Sequence, residues 1–378
     1  MTTTAPRQQA VGGWREQVIK LAERITTPLV PADYLDIIDP LRSRTELRGR
    51  IVAIHPETRD AATLVIKPGR AWRTHTPGQY VRVGVDVDGV RQWRAYSLTS
   101  KTAVRRSGAD RPGGGESDGR IAITVKAIPG GTVSNYLVRR APVGSIVQLD
   151  QATGDFTLGS PTPPKLLFIT AGSGITPVMG MLRNIIWADN ADPDIIVVHS
   201  APTPDDVIFG TELRSMASQG RIQLVERHTD IDGMLDVTRL GDIVGDLAER
   251  QAWACGPAAM LDALESRWET DGIADRLHTE RFRPSVIATG DGGTVTFART
   301  GTVVDADGAQ TLLDAGEAAG VLMPSGCRMG ICFGCVAPLR QGAVRDLRSG
   351  EVTSAAEGDN IQIQTCVTAA AGTCDIDL

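Results

Sequence analysis

The sequence lacks the features that mark membrane-spanning and nucleic-acid-binding proteins. No stretch approaches the roughly 18 to 20 consecutive apolar residues that a spanning helix needs. With 39 basic against 45 acidic side chains, the formal net charge of -6 provides no basic surface for nucleic acid. Arg, Glu and Lys interrupt the apolar positions near the N-terminus, so no secretory signal is present. We therefore predict a cytoplasmic protein without a transmembrane segment or a nucleic-acid partner.

Histidine and the common hydrolase motifs are equally scarce. The five histidines show no metal-ligand spacing and no pairing with a nucleophile, which favours structural or solvated roles. The chain contains no Gly-x-Ser-x-Gly, no P-loop lysine and no internal repeat. At 378 residues, with 42% apolar and 22% charged content, it is long enough for two or three globular domains. Functional information must come from its cysteine and glycine motifs.

Three of the six cysteines lie close together in the C-terminal part of the chain. The motif, completed by a distant fourth cysteine, consists of Cys327, Cys332, Cys335 and Cys366. This is the spacing of a plant-type [2Fe-2S] site, in which four thiolates hold two irons. Small residues in the loop, such as Gly330, would let backbone N–H groups turn onto the sulfides. Structural zinc is the alternative, although zinc ligands usually come as two close pairs. Cys255 and Cys374 are left as free thiols in a reducing compartment.

From residue 46 the pattern changes to short alternating strands separated by turns, which is typical of a small antiparallel barrel. The predicted strands span residues 50–55, 62–66, 80–87, 92–99, 120–127 and 145–149. In the strand Arg94-Ala95-Tyr96-Ser97, alternation directs Arg94 and Tyr96 to one face. Arg94 would then bind a pyrophosphate through two N–H groups while Tyr96 lies flat on a flavin.

A glycine pair in the same barrel, Gly130-Gly131, opens a predicted helix over residues 133–140. Backbone N–H groups at a helix N-terminus bind phosphate, so this turn would hold the same pyrophosphate as Arg94. Taken singly, each motif has a second interpretation as an ordinary strand or turn, but their order in one barrel favours the cofactor. The residues assigned to the flavin in this half of the barrel are Val125, Lys126, Gly131, Thr132, Val133 and Ser134.

A nucleotide site is predicted after a linker at residues 161–164. A buried strand at 165–170 runs into a glycine turn and a helix at 178–187. Further strands at 195–200, 222–227 and 251–255 alternate with helices such as 205–218. Strand, glycine turn and helix N-terminus together bind a nucleotide. The residues assigned to this turn are Gly172, Gly174, Thr176 and Pro177.

These motifs, in this order, resemble the three-domain reductases of the ferredoxin-NADP reductase superfamily over residues 46–378. The resemblance implies a multidomain fold with an antiparallel β-barrel flavin domain, an α/β parallel-sheet nicotinamide domain and an α+β β-grasp ferredoxin domain. The expected boundaries are a helical N-terminal extension over 1–45, the FAD-binding barrel over 46–160, the NAD(P)-binding domain over 161–284 and the [2Fe-2S] domain over 293–378.

The same resemblance implies roles for individual residues. In this superfamily the serine of Arg-x-Tyr-Ser hydrogen-bonds flavin N5, which implies that role for Ser97. A Cys-Gly-Pro turn lies at the nicotinamide, so Cys255-Gly256-Pro257 would position its C4 against the flavin. Similar reductases end this domain with an acidic residue and an aromatic beside the flavin, here Glu280 and Phe282. The predicted catalytic residues are Ser97, Cys255 and Glu280.

We expect an NAD(P)H-dependent oxidoreductase that uses FAD and a [2Fe-2S] cluster. Hydride carries two electrons whereas the cluster accepts one, so a flavin must stand between nicotinamide and cluster. The second phosphate motif at 131–134 favours FAD over FMN. The strand that ends at Ser200 lacks the carboxylate that binds ribose in NAD sites. Ser200 and Arg227 would instead hold a 2′-phosphate, so we predict NADPH over NADH.

The N-terminal extension helps to predict the identity of the electron acceptor. Trp14, Val18, Leu21 and Ile25 at helical spacing predict an amphipathic helix. Ala- and Arg-rich three-domain reductases with such an extension resemble the electron donors of membrane di-iron fatty acyl desaturases. This implies a desaturase as acceptor, with the extension packed on the barrel or in peripheral contact with the inner membrane face. The alternatives are an NADH-dependent reductase of a ring-hydroxylating dioxygenase or another hydroxylase, and a redox sensor.

Overall fold

The computed structural model describes residues 39–43, 46–87, 89–102, 119–186, 193–282, 289–326, 328, 330 and 333–378. Three sheets follow one another along this part of the chain. The predicted fold class is confirmed, because the first sheet is antiparallel, the second parallel and the third mixed with one packed helix. The predicted N-terminal helix over 14–25 lies outside the described residues.

The barrel sheet has six antiparallel strands. They are β1 (Arg48–Thr58), β2 (Ala61–Pro68), β3 (Tyr80–Val87), β4 (Val90–Ser97), β5 (Ile121–Lys126) and β6 (Ile146–Leu149). Their order is β4-β3-β6-β1-β2-β5. Inward side chains such as Ile51, Leu64 and Ile123 are fully buried in one core. One helix, α1 (Thr132–Arg139), packs on this domain and follows the glycine pair.

The second sheet consists of five parallel strands. They are β7 (Lys165–Ala171), β8 (Asp194–Ala201), β9 (Gln223–His228), β10 (Gln251–Cys255) and β11 (Leu277–Glu280), in the order β11-β10-β7-β8-β9. Its helices are α2 (Ile175–Ile185), α3 (Gly210–Ser218) and α4 (Ala258–Thr270). Consecutive residues of β7 are buried, as in a sheet covered on both faces. Parallel strands bring all their carboxyl ends to one edge, where nucleotides bind.

The third sheet forms the ferredoxin domain. Its strands are β12 (Gly293–Phe297), β13 (Thr302–Ala306), β14 (Val336–Asp346), β15 (Val352–Ala355), β16 (Ile361–Gln364) and β17 (Thr368–Ile376), and its helix is α5 (Leu312–Ala318). The order is β13-β12-β17-β14-β15, with β16 paired to β14. Strands β12 and β13 form an antiparallel hairpin. Thr311 begins α5 by accepting a hydrogen bond from the Asp314 N–H at 3.1 Å.

Short helical turns connect these elements. They are Pro40–Arg42, Gly172–Gly174, Pro204–Asp206, Thr229–Asp232, Val237–Arg239, Leu240–Ile243, Leu247–Glu249 and Ala274–Arg276. The continuous helix predicted over 205–218 is wrong, because the chain leaves helical geometry after Asp206 and Phe209 adopts a φ of 61°. Both Val207 and Phe209 turn into the hydrophobic core there. Within the described ranges, no helix is long and apolar enough to cross a bilayer.

Candidate functional site

One cavity of about 1550 Å³ is bordered by all three domains. Its walls are formed by β4 and α1 of the barrel, by the turn before α2 and the residues around the end of β11, and by α5 and the cysteine loop of the ferredoxin domain. Ligand pockets usually have volumes of about 300 to 1,000 Å³. The cavity therefore has room for a long ligand that spans more than one domain.

Strand β4 brings the predicted flavin residues to this cavity. Residues 94–97 all line it. Arg94 donates one hydrogen bond to the carbonyl of Trp93 at 2.8 Å. Burial, and then repulsion from Arg328 of the ferredoxin domain, lower the pKa of Arg94. Burial also raises the pKa of Tyr96. A partly desolvated guanidinium of this kind is stabilised by a phosphate whose oxygens accept hydrogen bonds from its remaining N–H groups.

The hydroxyl of Ser97 fits the role that the superfamily implies. Ser97 is only 4% exposed, and its Oγ has no hydrogen-bond partner among the described residues. A buried hydroxyl without a partner costs about 1 to 3 kcal/mol. Because this hydroxyl borders the cavity, a flavin ring bound there can form the hydrogen bond that the protein does not provide.

The phosphate turn faces the same cavity as Arg94. Helix α1 begins after Gly131, and all residues from Gly130 to Ser134 line the cavity. A Cβ atom on Gly131 would lie 2.5 Å from Ile128 Cγ1, so a larger residue does not fit at this position. The free N–H groups at the start of α1 can therefore approach a phosphate closely.

Val125 does not line the cavity, and its assignment to the flavin stays a prediction. Its side chain packs in the barrel core and is 1% exposed. Side chains alternate along a strand, so its neighbours Thr124 and Lys126 face the cavity instead. Lys126 also forms an ion pair with Asp60 at 3.2 Å, which holds its ammonium group at the cavity wall.

Two glycine turns meet at the carboxyl edge of the parallel sheet. Strands β7 and β10 are neighbours, and the turn after each passes close to the other. A Cβ atom on Gly174 would lie 2.0 Å from the Cys255 carbonyl oxygen, and one on Gly256 would lie 3.3 Å from Ala171 Cβ. Thr176 lines the cavity, whereas Gly172 and Pro177 support the turn behind it. Pro257 precedes α4 as its N-cap.

The residues predicted at the reacting rings differ in their access to the cavity. Glu280 and Phe282, predicted beside the flavin, line it, whereas Cys255 is completely buried in the core of the nicotinamide domain. Because β10 turns the Cys255 side chain inward, its predicted role in positioning the nicotinamide would act through the turn, and that role stays a prediction. Burial, and then the charge of Glu280, raise the pKa of Cys255. Burial alone raises the pKa of Glu280 to about 8, and its Oε2 has no partner among the described residues.

The residues predicted to select NADPH lie side by side. Ser200 and Arg227 are partners in the register of β8 and β9. The Ser200 Oγ is buried without a partner within the described part of the chain. Arg227 donates from Nε to the carbonyls of Gly233 and Met234 at 2.9 and 3.1 Å, which fixes its guanidinium beside the strand end. Its Nη2 also donates to the Asp232 carbonyl at 2.5 Å, so an anion bound here would use the remaining N–H groups.

The structure brings two of the predicted cluster ligands together. The Sγ atoms of Cys335 and Cys366 lie 3.1 Å apart, and both residues are buried. The hydrogen bond with Cys366 lowers the pKa of Cys335, which favours the thiolate that binds iron. Cys327 and Cys332 lie outside the described residues, so their assignment stays a prediction. Cys374 is buried elsewhere in the same core, and burial raises its pKa to about 12.

Comparison with known proteins gives the same three parts in the same order. Residues 51–158 match the oxidoreductase FAD-binding domain family, residues 168–266 the oxidoreductase NAD-binding domain family and residues 295–371 the 2Fe-2S iron-sulfur cluster binding domain family. A protein of Mycobacterium tuberculosis named NADPH oxidoreductase is 49% identical over 369 residues, which cover 97% of this chain and 93% of that protein. The chain belongs to the three-domain ferredoxin-NADP reductase family. It is an NAD(P)H-dependent oxidoreductase with FAD and [2Fe-2S] as cofactors.

Matches to more distantly related reductases also cover most of this chain. The glycine betaine monooxygenase reductase subunit of Pseudomonas aeruginosa is 29% identical and covers 88% of this chain and 96% of its own. The solved structure of phthalate dioxygenase reductase covers 89% of this chain and 99% of its own, with a TM-score of 0.57 and 21% identity. The structural likeness supports the common three-domain fold.

The cysteine loop of the reductase is held by a hydrogen-bond network that sequence analysis missed. The Gly330 carbonyl accepts from Arg348 Nη1 at 3.1 Å and from Gln364 Nε2 at 2.9 Å. Asp346 fixes Arg348 through an ion pair at 2.7 Å. The Thr365 hydroxyl donates to the Cys335 carbonyl at 2.9 Å. No local pattern marks these residues, because only the pairing of β14 with β16 and β17 brings them to the loop.

The residues present fit both cofactors of this reductase. Flavin converts two-electron hydride transfer into one-electron transfer to the cluster. Arg94 and the start of α1 would hold its phosphates, and Ser97 would supply a hydrogen bond to its ring. Phe282 borders the cavity on the nicotinamide side. Cys335 and Cys366 would hold the cluster, and Cys366 itself lines the cavity.

Proposed function

We propose that this reductase takes electrons from NADPH and delivers them singly to an oxygen-activating enzyme, namely a membrane di-iron fatty acyl desaturase. The observation that carries the electron path is the shared cavity, which is lined by Ser97 on the flavin side, Glu280 on the nicotinamide side and Cys366 on the cluster side. With these groups on one cavity, no rearrangement is needed to connect the three redox sites.

NADPH as the donor is supported by the paired positions of Ser200 and Arg227. A buried hydroxyl and a fixed guanidinium at adjacent strand ends suit a 2′-phosphate. The relative from M. tuberculosis, which is 49% identical, carries the name NADPH oxidoreductase. Among the described residues, the carboxylate nearest in sequence to Arg227 is Glu226, and it pairs with Arg214 at 3.1 Å.

The acceptor class is supported by the names of the relatives and by the extent of the matches. The P. aeruginosa relative is named as the reductase subunit of a monooxygenase, an oxygen-activating system. Its match covers 88% of this chain, whereas the match to the NADPH oxidoreductase covers 97% and must include most of residues 1–45. The extension is thus shared with that protein, which supports an acceptor other than that of the common oxygenase reductases. We also propose that the N-terminal extension of this reductase makes peripheral contact with the membrane.

Reconstitution tests this function. NADPH, the purified reductase and membranes that contain a di-iron acyl desaturase should give oxygen-dependent desaturation, and a soluble ring-hydroxylating dioxygenase should receive electrons more slowly. Faster support of the dioxygenase would favour the second candidate, a dioxygenase or hydroxylase reductase. A redox sensor would reduce cytochrome c only slowly with NADPH, so rapid cytochrome c reduction argues against that third function.

A further inference from the structure

The cavity extends beyond the part that a flavin mononucleotide needs. Strand β4 contributes Tyr96 and Arg94 to its wall, and then continues with Gln92 and Val90 along the same wall. At about 3.3 Å per residue, Val90 lies roughly 13 Å beyond Arg94. If Tyr96 marks the ring and Arg94 the phosphate, the segment from Gln92 to Val90 is placed for the second half of FAD, its AMP moiety.

Helix α5 of the ferredoxin domain runs along the opposite wall. It begins beside the cluster site, since the Leu313 N–H donates to the Thr365 carbonyl at 3.0 Å and Thr365 precedes Cys366. Its charged residues Asp314 and Glu317 line the cavity and interact electrostatically with Arg94. Seven residues of helix span about 10 Å, so the segment after α5 lies past the phosphate position.

An apolar side chain projects into the cavity from that segment. Leu322 is 76% exposed, although its neighbours Val321 and Met323 are buried in the ferredoxin core. Three other exposed apolar residues of the described chain border the same cavity: Val90, Ile128 and Phe282. A flat aromatic base between Leu322 and Val90 would cover apolar surface that is otherwise exposed to water.

The charges on this wall are compatible with a bound nucleotide. Arg328 forms ion pairs with Asp314, at 3.1 Å, and with Glu317. The two carboxylates are thereby neutralised by about one positive charge, and Arg94 adds a second on the barrel side. The ferredoxin wall thus keeps about one net negative charge, and Arg94 on the barrel wall offsets it, so a pyrophosphate bound there does not face an uncompensated acidic surface.

We propose that the ferredoxin domain completes the adenosine-binding half of the flavin site, with Leu322 packed on the adenine opposite Val90. This inference rests on FAD as the bound flavin and on the electron path of the proposed function. It implies that FAD contacts the ferredoxin domain through its AMP moiety, which FMN lacks, so that the AMP moiety ties the ferredoxin domain to the barrel in the arrangement that connects the redox sites.

Flavin titration of the full-length protein tests the proposal. Flavin is removed while the cluster is retained, and FAD or FMN is added back while flavin fluorescence is followed. Leu322→Ala should lower the affinity for FAD about five- to tenfold and change the affinity for FMN less than about twofold, as expected for losing one apolar contact. Val90→Ala should show the same selectivity from the barrel side.

Val303→Ala is the matched control, because Val303 is 59% exposed in the ferredoxin domain and does not line the cavity. It should leave both affinities unchanged. An equal loss of FAD and FMN affinity in Leu322→Ala would mean that Leu322 contacts the isoalloxazine ring and would overturn the proposal, as would unchanged FAD affinity. A wild-type protein that binds neither flavin would instead contradict the proposed function.

Discussion

The Sγ atoms of Cys335 and Cys366 lie 3.1 Å apart, although 31 positions separate the two residues in the sequence. Strands β14 and β16 produce this approach, because their antiparallel register pairs Val336 with Gln364 directly beside the two cysteines. We expect Cys366→Ser to lose the visible absorption of the cluster, since a hydroxyl is a poor iron ligand at this position. NADPH-dependent reduction of ferricyanide, which requires only the flavin, should persist.

Cys374→Ala provides the control for that experiment. Cys374 is buried in the same ferredoxin core, and its raised pKa keeps it a neutral thiol. The variant should retain the cluster spectrum. Loss of the cluster in Cys374→Ala, together with a normal spectrum in Cys366→Ser, would contradict the ligand assignment.

Arg94 should make a large contribution to flavin retention. Removing a charged hydrogen-bond donor to phosphate costs about 1.5 to 3 kcal/mol, so Arg94→Ala should raise the dissociation constant for FAD about 10- to 100-fold. Equilibrium dialysis followed by flavin absorbance measures this change. Arg50→Ala, an exposed barrel arginine outside the cavity, should retain its flavin. Full occupancy in Arg94→Ala would show that the phosphate binds elsewhere.

The choice of nicotinamide should depend on Arg227. Its guanidinium would contact only the 2′-phosphate, which NADH lacks. Arg227→Ala should therefore raise KM for NADPH about tenfold or more and change KM for NADH less than about twofold. Ferricyanide reduction with each nucleotide provides the measurement, and Arg239→Ala, at an exposed arginine of the same domain that pairs with Asp242, is the control. A wild-type kcat/KM that favours NADH would overturn the prediction of NADPH.

Sequence reasoning identified the fold where local chemistry is distinctive. The cysteine spacing, the Arg-x-Tyr-Ser strand and the two glycine turns each have a backbone requirement that few residues meet, and the structure places 94–97 and 130–134 on one cavity. Strand β17, in contrast, was not predicted from the sequence. Strand β17 consists largely of Ala, Thr and Gly and is buried on both faces in its first half, so it shows no alternation.

Strand alternation separates one predicted flavin residue from the cavity. The Val125 side chain packs in the barrel core, whereas its neighbours Thr124 and Lys126 line the cavity. Contacts between segments that are distant in the sequence could not be predicted. The pairing of Arg348 with Gly330, and the approach of Arg328 to Arg94 across two domains, depend on tertiary packing that no window of sequence contains.

Glu280 should make the stability of the reductase dependent on pH. Burial raises the pKa of its carboxyl from 4.5 to about 8. Between these two values the unfolded chain carries an ionised Glu280, whereas the folded protein keeps it protonated. Folding then takes up a proton, so stability is greatest below about pH 4.5, falls as the pH rises and levels off above about 8. The shift corresponds to at most about 5 kcal/mol.

Glu280→Gln removes this titration, because a neutral amide of similar shape replaces the protonated carboxyl. The thermal midpoint of the variant should therefore rise relative to that of the wild type as the pH is increased from 5 to about 8, when both are measured with bound FAD. Glu351→Gln, at an exposed turn of the ferredoxin domain, should follow the wild type at every pH. A difference between Glu280→Gln and the wild type that stays constant over this range would mean that Glu280 ionises normally, and that water or a cation reaches it through the cavity.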